Sequence, residues 1–298
     1  MPAGTVGIVG TGLMGTSAAQ RLTACGLSVI VANRSPERAR ALAEASGCTF
    51  SPTFRELAQR SGCVLVLTSG EEGTRDAVLG SDGVLEGVEP GTVVIVASTI
   101  SPGLVDELRT AAQRARALLL DAPISGRPTE LSAGGVTFLV GADSEELEQV
   151  RDVLSLLGTV VHVGPVGSGA AMKLAINVVV FALLGGIAEA LALASRAGVN
   201  LGTAYEALQN SAISSRFVDL RRDHFVETSA PVLFSMDAAL ENLQLINQTA
   251  ESYGLQLPQS GANASAVAAA VSAGLGSADV TALFQALAPP LDNPEPDL

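Results

Sequence analysis

The chain contains 16 arginines and a single lysine, Lys173. Arginine serves every other cationic position, so the lone lysine points to a task a guanidinium cannot perform, which is to release a proton. Asn177 follows one helical turn later, and on a helix the two side chains share a face. Gly167 and Gly169, just ahead of Lys173, let backbone and ligand come close. Reducing a carbonyl builds alkoxide character, and a cation that also donates a proton stabilises that charge and completes the product. An unperturbed lysine titrates near about 10.4, so acting as a base in the reverse direction requires burial or a neighbouring cation. The rival proton donors are weaker. His162 ends an apolar run and reads as structural, whereas His224 lies in the charged stretch Arg221-Arg222-Asp223-His224 and reads as solvated. Asp237 and Glu241 have helical spacing, which by itself does not make an acid–base pair.

A second constellation lies near the N-terminus. Residues 5–9 (TVGIV) form a short buried-strand run, followed by Gly10-Thr11-Gly12-Leu13-Met14-Gly15 and helix-compatible sequence. In this context GxGxxG is a dinucleotide fingerprint. Gly10 permits the tight turn, Gly12 lets the backbone approach a pyrophosphate, and Gly15 packs the helix onto the strand, with free helix N–H groups facing the phosphates. The next strand ends at Asn33-Arg34-Ser35, at the expected distance of about 20 residues. A carboxylate there would favour NAD. Here Arg34, with Arg38 one turn on, can pair with a 2′-phosphate, so NADP(H) is the expected cofactor.

The elements that must position these groups alternate. Apolar runs at 27–32, 64–68, 92–97 and 118–121 are each preceded by helical sequence, which predicts a doubly wound, mostly parallel sheet covered on both faces. Residues 136–140 and 159–163 read as added strands flanking a helix over 144–156. Past Gly164-Pro165 the chain turns Ala- and Leu-rich. The expected division is therefore an α/β Rossmann domain over 1–164 and an all-helical domain over 165–298. That second domain opens with a long interdomain helix over 165–197, in which Gly185-Gly186 allows close packing. The proline-rich tail from Pro289 is expected to fray. With 48% hydrophobic and 16% charged residues, a sizeable core is assured. A net charge of −13 excludes nucleic acid and anionic membrane surfaces as partners, though a local cation cluster can still take an anion. Cys25, Cys48 and Cys63 form no CxxC pair and read as buried thiols, with no metal site expected. A strand beginning at residue 5 leaves no room for a signal segment, and the longest apolar stretch, 174–187, reads as too short to span a bilayer. A soluble cytoplasmic protein is the expectation.

At this point the chain resembles the β-hydroxyacid dehydrogenase family, over nearly its whole length and through four ordered motifs. These are GIVGTGLMG at 7–15, Ser98-Thr99-Ile100-Ser101-Pro102, Asp121-Ala122-Pro123-Ile124-Ser125-Gly126, and Gly167-Ser168-Gly169-Ala170-Ala171-Met172-Lys173-Leu174-Ala175-Ile176-Asn177. The resemblance implies Lys173 as general acid–base, with Asn177 holding the substrate or the lysine. It implies that Ser125 and Gly126 bind the substrate carboxylate, that Thr99 lies near nicotinamide and substrate, and that Phe234 closes the pocket. Leu67, Thr68, Ser98 and Thr99 complete the expected cofactor contacts, and a homodimer or homotetramer assembled through the helical domain is implied. Three positions depart from the family pattern. Arg127 stands where Gly is usual after Ser-Gly, which predicts a substrate larger or more anionic than a simple semialdehyde acid. Glu241-Asn242 replaces a Lys-Asp pair, and Ala97 replaces an Asp. Two other functions stay open on the residues alone: an imine reductase of the same fold, which typically lacks this lysine, and a non-catalytic NADPH-binding sensor or scaffold.

Overall fold

Valine and isoleucine pack well on a pleated surface, and their runs become the strands of one sheet. The computed structural model describes residues 4–227 and 230–288, so the tail from Pro289 lies outside the described residues. The chain divides into two compact units, Met1–Ala175 and Ile176–Leu298. In the first, the elements follow as β1 (Thr5–Val9), α1 (Leu13–Ala24), β2 (Ser28–Ala32), α2 (Pro36–Ser46), β3 (Thr49–Phe50), α3 (Phe54–Gln59), β4 (Cys63–Val66) and α4 (Glu71–Leu79). They continue as β5 (Val93–Val96), α5 (Pro102–Arg114), β6 (Leu118–Asp121), β7 (Ile124–Ser125), α6 (Pro128–Ser132), β8 (Val136–Gly141), α7 (Ser144–Leu157) and β9 (Gly158–Gly164). The start of α8 (Ser168–Arg196) completes the unit, and the division between units falls inside this helix.

The sheet order is β3-β2-β1-β4-β5-β6-β8-β7, with β9 beside β8. All pairings from β3 through β6 are parallel, the arrangement of a dinucleotide-binding sheet. β8 runs antiparallel to β6 and β7 and parallel to β9. One face is packed by Leu22 of α1 and Leu147, Val150 and Leu154 of α7. Leu57 of α3 and Leu104, Val105 and Leu108 of α5 cover the other. Burial on both faces explains why the central strands read as unbroken apolar runs. The two-residue strands β3 and β7 are too short to show a periodicity, and neither was expected from the residues alone.

The second unit is helical: the remainder of α8, then α9 (Leu201–Gln209), α10 (Arg216–Val226), α11 (Met236–Ser252), α12 (Pro258–Ala270) and α13 (Leu283–Leu287). Its core includes Phe181, Leu184, Ile187 and Leu191 of α8 with Tyr205, Phe225, Leu243 and Ile246. Fully buried Tyr205 donates its hydroxyl to the Val218 carbonyl at 2.8 Å, so its polar tip is satisfied inside. A Cβ at Gly185 would meet Asn263 Oδ1 at 2.5 Å, which is the close helix packing expected of the pair, whereas one at Gly186 would meet nothing within 4 Å. α8 runs through Asn177 and both glycines for 29 residues, long and apolar enough by length and composition to cross a membrane. The expectation that this run was too short is thereby corrected. Its apolar character is used in packing, since four of its large side chains lie in the core of the second unit.

Candidate active site

The β1–α1 turn is dictated by glycine at two positions. Gly10 has φ 96°, and a Cβ there would strike the Leu67 carbonyl; a Cβ at Gly15 would strike the Gly10 carbonyl. Gly12 differs, because nothing lies within 4 Å of where its Cβ would stand. Protein packing does not require that glycine, and the space above it fits a pyrophosphate brought against the backbone. α1 has no side-chain cap and no acid in its first turn, so its free N–H groups and positive end suit an anion. Beside them Leu13 is exposed, Met14 half-buried, and the Thr11 hydroxyl buried without a partner. Asn33 Oδ1 accepts from the Thr11 N–H at 3.3 Å while its Nδ2 donates to the Ser35 carbonyl at 3.2 Å, tying the glycine turn to the end of β2. Arg34, Ser35 and Arg38 are exposed, and neither arginine has an ion pair or side-chain hydrogen bond among the described residues.

Two neighbouring loops are cross-linked. The Thr68 N–H donates to Ser98 Oγ at 3.0 Å, and Thr68 Oγ1 shares a 2.8 Å hydrogen bond with Thr74. The Ser98 hydroxyl is thus engaged in holding Thr68, while Thr99 is half-buried. Glu71 at the start of α4 accepts from the Ser101 N–H at 2.8 Å and fixes the following turn.

The chemical end of the first unit begins at β6. Asp121, 1% exposed, accepts from the Gly167 and Ala170 N–H groups, both at 2.6 Å. Burial raises its pKa, and these donors oppose the shift. Ser125 sits in β7 opposite Thr137 of β8. Gly126 has φ 147°, and a Cβ there would meet Val136 Cγ1 at 2.7 Å, so glycine is obligatory after Ser125. The Arg127 N–H donates to Glu130 Oε2 at 2.8 Å, and its guanidinium lies 3.7 Å from the same oxygen. The cation beside the Ser-Gly turn is therefore ion-paired with the carboxylate of α6, while its buried Nε has no hydrogen-bond partner among the described residues. Lys173, half-buried in the second turn of α8, has no hydrogen bond or ion pair among the described residues. Burial lowers its pKa from 10.5 to about 8, because removal from water disfavours the ammonium.

In the second unit Asn177 is 8% exposed and donates through Nδ2 to Asn242 Oδ1 at 3.2 Å. Asn242 Nδ2 in turn donates to the Ala238 carbonyl at 2.9 Å, which fixes the amide's orientation. The Asn of the Glu241-Asn242 departure thus supports Asn177, while Glu241 is exposed. The Phe234 ring stands 6.3 Å from that of Phe181, and Asp279 accepts from the Leu233 and Phe234 N–H groups at 2.9 and 3.2 Å. These backbone donors hold the Asp279 carboxyl below its usual range against the opposing effect of burial. The roles of Asn33, Asp121 and Asn242 as tethers were not legible beforehand, since each depends on a partner remote in sequence.

A doubly wound sheet with an open glycine turn, joined to a helical unit and bearing one desolvated lysine, defines a nicotinamide-dependent oxidoreductase. Residues 5–164 match the model described as the NAD binding domain of 6-phosphogluconate dehydrogenase. Residues 167–287 match that described as NAD-binding of NADP-dependent 3-hydroxyisobutyrate dehydrogenase. L-threonate dehydrogenase of Escherichia coli K12 is 30% identical over 94% of this chain and 93% of its own. A 3-hydroxyisobutyrate dehydrogenase from Salmonella typhimurium superposes with a TM-score of 0.87 at 27% identity, covering 95% of this chain and all (100%) of that one. An imine reductase from Myxococcus stipitatus shares the fold at a TM-score of 0.65 and 24% identity, over 94% and 99% of the two chains. The chain belongs to the β-hydroxyacid dehydrogenase family.

Proposed function

We propose that this protein interconverts a small anionic hydroxy acid and its carbonyl form with NADP(H), using Lys173 as general acid–base. The observation that carries the reading is a sole lysine, half-buried, without a counter-ion among the described residues, and lowered to about 8. In that state Nζ can donate a proton to the carbonyl oxygen at neutral pH and take one back from the hydroxyl above it. When bound, the nicotinamide supplies or accepts the hydride. Ser125 and the Gly126 backbone are assigned to the substrate carboxylate, Thr99 to the neighbourhood of the reacting carbon, and Arg127 to an additional anionic group. From the second unit, Asn177 and Phe234 are assigned to the substrate. Gly10, Thr11, Gly12, Leu13, Met14, Gly15, Asn33, Leu67, Thr68 and Ser98 are assigned to the cofactor, with Ser35 and the exposed Arg34 and Arg38 at the 2′-phosphate. Self-association through the helical unit is supported by Val179 and Leu193 of α8, 58% and 75% exposed. A cytoplasmic location is supported by a core-forming α8 and an acidic surface.

The test compares Lys173→Met with wild type for NADPH binding by fluorescence and for turnover. The panel holds L-threonate, 3-hydroxyisobutyrate, matching semialdehyde acids and a cyclic imine. Binding retained with turnover of the acids abolished is the expected result. Turnover that survives, above all of the imine, overturns the assignment in favour of imine reduction. Tight NADPH binding by a wild type inactive on the whole panel favours a sensor. In the same assays Arg34→Ser should weaken NADPH far more than NADH, and Arg127→Gly should raise KM for the substrate with kcat little changed.

A further inference from the structure

Asp121 is buried at the C-terminal end of β6 and reaches across to a helix it does not belong to. Its two oxygens take the N–H groups of Gly167 and Ala170, two of the donors that an α-helix N-terminus leaves without an intrahelical partner. The space around the carboxylate is closed. A Cβ at Gly141 would stand 2.5 Å from Oδ1, and one at Gly169 would strike the Leu139 carbonyl and stand 2.7 Å from Oδ2, so side chains at these two positions would crowd the acid. The Ser168 N–H is taken by the Pro165 carbonyl at 3.0 Å, and Gly167 has no side chain to offer, so among the described residues Asp121 is the side chain that caps this end of α8. Lys173 comes one turn after Ala170 on the same rigid helix. Its backbone is therefore tied to the end of β6 by this carboxylate, beside the packing of Ala170 in the core.

We infer that Asp121 is a positioning residue for catalysis, fixing the start of α8 so that Lys173 Nζ stands where the proton must be delivered. This rests on the acid–base reading of Lys173. An oxygen pair is needed because both partners are donors. In Asp121→Asn one N–H meets an NH2 group, a second donor, so the helix start must shift or lose a hydrogen bond. A misplacement of about 1 Å of a catalytic group can cost on the order of 100-fold in rate.

The experiment is a double-mutant cycle of Asp121→Asn and Lys173→Met, assayed with whichever of L-threonate and 3-hydroxyisobutyrate the wild type turns over, with NADPH binding measured alongside. Asp121→Asn is expected to lower kcat by about 10- to 100-fold with NADPH binding and KM nearly unchanged, and to have no further effect on the residual rate of Lys173→Met. A loss that multiplies in the Lys173→Met background, or a wild-type kcat in folded Asp121→Asn, overturns the inference. If Lys173→Met itself retains full turnover, the acid–base reading has failed instead. Asp121→Ser, which keeps a single acceptor in a smaller volume, is read identically where the Asn variant does not fold. The sole lysine adds a readout independent of any substrate. Lysine labelled with 13C gives one side-chain resonance set, which Asp121→Asn should displace; spectra that superimpose also overturn the inference.

Discussion

Lys173 differs from an ordinary surface lysine through desolvation alone, with no cation beside it to share the effect. Its folded pKa, about 8, lies below its unfolded value, so the unfolded chain holds the proton more tightly. Stability is therefore reduced below about pH 8 and is recovered as pH rises from about 8 toward 10.5. Lys173→Met should unfold at higher denaturant than wild type at pH 7, by as much as about 2–3 kcal/mol, with the gap closing toward pH 10.5. Equal midpoints at pH 7 would show that the ammonium is not held out of water. The same titration gives the kinetic profile its sign. Carbonyl reduction, which uses the ammonium, should slow as pH rises through about 8, while hydroxy-acid oxidation, which uses the amine, should speed up over that range. Initial rates in both directions across that window check it.

At the level of elements, the β1–α1 turn separates folding from binding within one sextet of residues. Gly15→Ala places a methyl group against the Gly10 carbonyl and should lower Tm, because α1 can no longer sit on β1. Gly12→Ala meets no protein atom and should leave Tm unchanged, yet weaken NADPH binding by about 10-fold or more by holding the pyrophosphate away from the helix N–H groups. Thermal melts with and without NADPH distinguish the two variants. A Gly12→Ala protein with normal affinity would mean that the dinucleotide does not cross this turn. The Asn177–Asn242 bond behaves as another such element-level tether. Asn242→Ala should leave Asn177 Nδ2 without its partner and lower kcat with little effect on NADPH affinity.

At the level of the whole molecule, the apolar side chains that α8 leaves uncovered set a testable limit on the free monomer. Leu193, at 75% exposed, packs against little within this chain, so Leu193→Glu should scarcely change its folding. If α8 associates with a second copy, the same change should shift the protein to monomer in sedimentation, since an unpaired carboxylate would be buried at the interface. An unchanged sedimentation coefficient would place self-association elsewhere.

The sequence by itself determined the order of elements, the glycine fingerprint, the singular lysine and the family. Those signals are local, being periodicity, fixed spacing and composition, and they need no knowledge of what packs against what. Strand runs buried on both faces and the Gly-Gly pair in α8 were legible for the same reason. Tertiary structure decided which oxygens and amides meet. The Asp121 carboxylate finds Gly167 and Ala170, Asn33 finds Thr11, Ser98 finds Thr68, and Asn242 finds Asn177. Each pair is joined across intervening elements, and a polar side chain looks the same in sequence whether it is solvated or pinned. The lowered pKa of Lys173 belongs to this second kind of fact as well, because desolvation is a property of the surroundings that folding assembles and not of the residue.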